Sequence, residues 1–191
     1  MRKYVIISAV ILCIPGFGMA QKQVVLLPEN SSITISGTST LHDWEESIEK
    51  FDVNLELNFQ DTKIAGVDKV EFKCQSASIS SDYSIMTNKT LNALRAEKHP
   101  EIQFRMVSVE KFLIQQEKFS GILVGDLSVA GVTKRVRLEF SGHNGGNIIN
   151  IVGSKQITMA DFNVEPPTAM MGTLKTGDKV VVSFNLSFRL S

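Results

Sequence analysis

Within the seven residues TLHDWEE (40–46) lie one histidine, three carboxylates and the chain's single tryptophan. Such types could hold a metal ion or pass a proton, if they converge. A zinc centre needs three or four ligands meeting from several segments. On an extended strand successive side chains point to opposite faces, so His42 and Asp43 diverge. His42 shares a face with Trp44, and Asp43 shares the other with Glu45. The remaining histidines, His99 and His143, stand at no recognised ligand spacing from this stretch. The stretch therefore reads as one end of a strand with no metal site. His42 and Trp44 become candidates for the rim or lining of an apolar interior, because an indole joins a large apolar face to one N–H donor. A core tryptophan closing the fold is the other reading of Trp44.

No other group offers a reaction centre. Cys74 falls in register with Val70 and Phe72 on the apolar face of a strand and has no histidine partner, which describes a buried, inert thiol. Gly-x-Ser-x-Gly elbows and phosphate-binding loops are missing from the sequence. Carboxylate pairs such as Glu45-Glu46 read as solvated surface. The basic cluster Lys134-Arg135-Arg137 reads as a solvated strand face, because the chain has 20 basic and 20 acidic residues and no imbalance to suit nucleic acid. No catalytic residue is expected, and the chain is not read as an enzyme.

The first twenty residues have the form of a secretory leader. Arg2 and Lys3 precede the apolar run Tyr4–Ile14, Pro15-Gly16 breaks it, and Gly18-Met19-Ala20 offers small residues for cleavage. That run is too short to span a bilayer. Lipid attachment at Cys13 is disfavoured by the bulky Leu12 before it. The expectation is a soluble periplasmic protein comprising residues 21–191. Losing the leader leaves Cys74 as the one cysteine, so stability must come from a core and not from an internal disulfide. One domain is expected.

The elements that would position any site are mostly strands. Phe51, Val53, Leu55, Leu57 and Phe59 alternate with Asp52, Asn54, Glu56 and Asn58. The C-terminus repeats the pattern from Val180 to Leu190. This period of two places one face inside and one in water. Weaker strands are read at 32–36, 70–76, 102–109, 119–129, 135–140 and 148–157. Good helix formers from Met86 to Lys98 predict one short helix, stopped at His99-Pro100 because the residue before proline disfavours the helical region. About eight one-sided strands and one helix suit an antiparallel barrel or a sandwich, and a barrel of that size is either filled or holds one small ligand.

Four segments then carry a resemblance. STLHDW (39–44), KHPEIQF (98–104), GDLSVAGVTKRVRL (125–138) and ITMADFNVEPPT (157–168) together resemble the YceI-like family, in order and over essentially the whole exported chain. The sequence departs at His99, where the family commonly has an aromatic residue. The resemblance implies an all-β, extended antiparallel lipocalin-like barrel of about eight strands with one short helix. It also implies an apolar channel holding a polyisoprenoid, quinone or similar long-chain amphiphile for transport or storage, non-covalently and without any other cofactor. Ligand-lining candidates are His42, Trp44, Phe104 and Leu127. Val129, Phe140, Phe162 and Met170 complete the set, Met170 as part of an adaptable lid. A homodimer and a peripheral membrane contact for ligand exchange stay open as partners. The rival class is a barrel filled with side chains that works through its surface or by dimerising. A continuous apolar space inside would separate the two.

Overall fold

The computed structural model describes residues 21–60, 63–169 and 172–190. The leader with Cys13 lies outside the described residues, as do Met170 and Met171. In chain order the strands are β1 (Gln21–Leu26), β2 (Ser32–Ser39), β3 (Trp44–Ile48), β4 (Phe51–Gln60), β5 (Lys63–Gln75) and β6 (Ile79–Ser80). Helix α1 (Ser84–Ala93) follows, and then β7 (Glu101–Gln115), β8 (Lys118–Val129), β9 (Val132–Asn144), β10 (Ile148–Thr158), β11 (Thr168–Ala169) and β12 (Leu174–Leu190). Every pairing is antiparallel.

These twelve segments exceed the eight expected because three long strands are interrupted. β1 and β2 lie one after the other along the same edge of β12, with Val24 opposite Leu190 and Ser32 opposite Asn185. Their other edge meets β4 and β3 in turn, Gln23 opposite Glu56 and Thr34 opposite Ser47, so the four segments are one long hairpin with a break in each arm. The first break is a 3-10 turn at Pro28–Asn30, where proline supplies no N–H to a ladder. β5 and β6 are likewise one strand interrupted by a turn at Ser76–Ser78, whose Ser78 hydroxyl donates to the Lys50 carbonyl at 2.9 Å. Counted this way, the ring runs β1/β2, β3/β4, β5/β6, β7, β8, β9, β10, β12 and back to β1/β2. The dipeptide β11 adds to β12 outside that ring.

The ring has two seams among the described residues. β5 and β7 pair from Glu71–Arg105 to Gln75–Glu101 and then part. β9 and β10 pair from Asn144–Ile149 to Glu139–Ser154, leaving the start of β9 and the end of β10 apart. The second seam is filled by the 160–164 segment, where Phe162 and Val164 bury themselves against Ala130.

Helix α1 starts two residues before the sequence suggests and ends five earlier. Arg95 turns into the left-handed region at φ 52°, and its guanidinium donates to the Ala130 carbonyl at 3.1 Å. Ala96 and Glu97 are good helix formers, but the chain must turn to bring His99 down over Gly131. The tertiary contact outweighs propensities worth a few tenths of a kcal/mol per residue.

Inward residues divide the interior into two halves. At the end away from α1, Leu57, Phe59, Ile64, Phe119, Ile149 and Phe188 pack with essentially no exposure. Phe112, Phe119 and Phe140 stack tilted or edge-on there, with ring centroids 6.2 to 6.4 Å apart. Cys74 is buried on the inner face, and that burial pushes its thiol up to about 11. The folded protein should therefore resist a disulfide reagent at pH 8 and react promptly in guanidinium. Rapid labelling of the folded chain would show that the strand around Cys74 opens.

Candidate functional site

The half nearest α1 is hollow. A cavity of about 240 Å³ lies inside the barrel under the helix, lined almost wholly by aliphatic and aromatic side chains. Inward residues of β2 to β10 and of β12 supply most of them, α1 contributes Thr90 and Ala93, and Leu94 at its C-terminal cap adds to these. Glycines keep the space open. Trp44 lies flat against Gly37, Phe104 against Gly125 and Phe184 against Gly153, so that a Cβ at any of the three would collide with the ring. An aromatic ring laid on a glycine of the neighbouring strand covers the wall without filling the lumen.

Six of the eight sequence candidates line this cavity: Trp44, Phe104, Leu127, Val129, Phe140 and Phe162. Phe162 reaches it from a 3-10 turn at Ala160–Phe162 and not from a strand. The indole N–H of Trp44 donates to the Thr38 carbonyl at 3.1 Å, which leaves the ring face as its contribution to the lining.

His42 is a correction. The strand begins only at Trp44, and His42 sits in the exposed turn before it. The Ser39 hydroxyl closes that turn, donating to the His42 carbonyl at 2.7 Å and accepting the backbone N–H groups of Leu41 and His42 at 3.2 Å. The ring folds onto its own backbone, with Nδ1 2.6 Å from the Asp43 carbonyl. A serine-based turn thus overrode the strand parity that would have joined His42 to Trp44. The eighth candidate, Met170, falls outside the described residues. Among the described residues no group of three metal-ligating side chains comes together.

Two charged lining residues were missed. Glu45 is exposed, as a solvated charge pair requires, but Glu46 is only 2% exposed and lines the cavity. Strand parity carries the signal, since Trp44, Glu46 and Ile48 share a face. The Thr90 hydroxyl lies 2.9 Å from both Glu46 carboxylate oxygens and donates to them. Burial raises the Glu46 pKa above its ordinary 4.5, and the Thr90 hydrogen bond pulls it partly back. Lys155 is the second, placed by the inward series Ile149, Ile151, Gly153, Lys155, Ile157.

The Glu46 shift has a stability consequence. A carboxyl whose folded pKa is raised binds more protons when folded, so its contribution declines as pH climbs from about 4.5 through the folded value. Glu46→Gln should therefore gain stability relative to the parent at pH 8 compared with pH 4. Urea unfolding of both proteins at the two pH values checks this, and an equal difference at both would contradict it.

The sequence profile of the YceI-like domain matches residues 25–188, most of the chain. The chain belongs to the YceI-like family. Solved structures of similar fold include BcnA of Burkholderia cenocepacia, with a TM-score of 0.68 at 16% identity, covering 85% of this chain and 98% of that one. A polyisoprenoid binding domain from Saccharophagus degradans, implicated in plant cell wall breakdown, gives 0.62 at 11% identity and covers 91% and 100%. The YceI protein of Campylobacter jejuni gives 0.60 at 19% identity and covers 76% and 84%. No curated sequence matches closely enough to add to this. The YceI-like barrel here is thus the expected lipocalin-like fold.

Proposed function

We propose that this YceI-like protein binds a long-chain amphiphile, a polyisoprenoid or isoprenoid quinone, with its apolar tail in the cavity under α1. The observation that carries the reading is a hollow apolar half-barrel backed by a packed floor. Family membership supports it, as does the fold shared with a polyisoprenoid binding domain. A cavity of about 240 Å³ falls just under the roughly 300–1,000 Å³ usual for ligand pockets, which suits one chain and not two. Each buried methylene contributes about 0.8 kcal/mol, so a tail binds well with few polar contacts. No reaction is assigned to the site, and the role is carriage or storage. The leader read at residues 1–20 supports a periplasmic setting for that role.

Trp44 is the chain's only tryptophan and lines the cavity, which makes it a built-in reporter. Titration with a polyprenol or a quinone should change its fluorescence saturably, while a short-chain alcohol should not. Unchanged emission with every long-chain probe would count against the reading.

A further inference from the structure

The two charged lining residues, Glu46 and Lys155, are linked through the strand register. Lys155 pairs with Val182, Val182 with Ile35, and Ile35 with Glu46. Directly opposed residues of neighbouring strands share a face, so the four side chains form one inward row at one height in the barrel. Glu46 and Lys155 stand at its ends, three strand spacings or about 14 Å apart along the curved wall. Trp44 and Ile157, which both line the cavity, lie one row nearer α1. Thr90 reaches down from the helix to Glu46. The row thus carries a charged group at each end, with Val182 and Ile35 between them, just inside the α1 end and above an apolar interior.

Its charges balance. Glu46 is fixed and almost wholly buried, with Thr90 as its donor. Lys155 is half-buried, and none of the ion pairs among the described residues involves it. One acid and one base facing an apolar cavity match a headgroup that is itself uncharged and offers both a donor and an acceptor. An anionic headgroup would bring a second negative charge against Glu46 in a medium where like charges cost several kcal/mol.

We propose that Glu46, with Thr90, and Lys155 form the headgroup belt of this cavity and select amphiphiles ending in a hydroxyl, a phenol or a quinone over those ending in a phosphate. The inference rests on the lipid-binding reading and adds the class of ligand. Glu46 accepts from a hydroxyl, or donates to a carbonyl when protonated. Lys155 donates to an oxygen on the other side.

The test compares geranylgeraniol with geranylgeranyl monophosphate by calorimetric titration of the folded protein. The parent should prefer the alcohol by about tenfold or more, given the like-charge penalty at Glu46. Glu46→Gln keeps the shape and removes the charge, so the preference should shrink, chiefly through tighter phosphate binding. Lys155→Met should widen it, and serves as the second variant if Glu46→Gln fails to fold. Equal affinity of the parent for both, or a preference unmoved by either variant, would overturn the headgroup assignment while leaving lipid binding in place. Failure of both probes to bind the parent would overturn the lipid reading and the belt with it.

Discussion

Phe188→Ala should destabilise the protein by about 3–5 kcal/mol, the cost typical of truncating a fully buried phenylalanine. Phe188 is 1% exposed, faces Ile149 on one neighbouring strand and Leu26 on the other, and closes the floor of the cavity. Its removal leaves a void where β1, β10 and β12 meet. The loss should be read from denaturant midpoints at unchanged slope. The same change deepens the cavity, so a long-chain ligand should still bind to whatever protein remains folded. A loss under about 1 kcal/mol would mean that the far half does not act as a packed plug.

Leu127→Trp should do the reverse, keeping the fold and losing the ligand. Leu127 lines the cavity and is only half-buried, with open space on its inner side. Overpacking costs about 1–3 kcal/mol where a core is already full, and less where the added atoms meet empty space. The indole would occupy the volume a tail needs, and methylenes excluded from the cavity forfeit about 0.8 kcal/mol each. Excluding three of them would weaken binding more than tenfold on that scale. Calorimetry with a polyprenol, alongside a thermal melt, separates the two effects. Intact binding in a folded Leu127→Trp protein would place the ligand elsewhere.

Much of this architecture was legible in the sequence because burial on one face leaves a period of two. Residues 51–59 and 180–190 show it plainly, and they lie in β4 and β12. β1 was not read, and β3 only as the end of a strand around Trp44, since each is short and is half of an interrupted strand whose continuity depends on β12 or β2 beside it. The cavity itself cannot be read from parity. Phe104 and Phe119 both point inward, yet one flanks open space and the other lies in the floor. What separates them is which glycine each ring covers and what faces it from across the barrel.

The site was legible in its apolar part and misread in its polar part. Trp44 and Phe162, read as candidates, line the cavity, and so does Glu46, which was passed over as one of a charged pair. Its parity with Trp44 and Ile48 was available; its carboxyl's distance from solvent was not, because that depends on α1 lying over it with Thr90. His42 failed for the opposite reason. Strand parity was extended through Ser39, a residue whose hydroxyl prefers to close a turn.

The central claim is that the hollow half of the barrel carries a lipid tail. Native mass spectrometry of the protein purified after expression with its leader intact, followed by solvent extraction, tests it most directly. The predicted result is a stoichiometric adduct that extracts as a prenyl chain with an uncharged headgroup. A bare mass that stays bare after incubation with polyprenols and quinones would contradict the account.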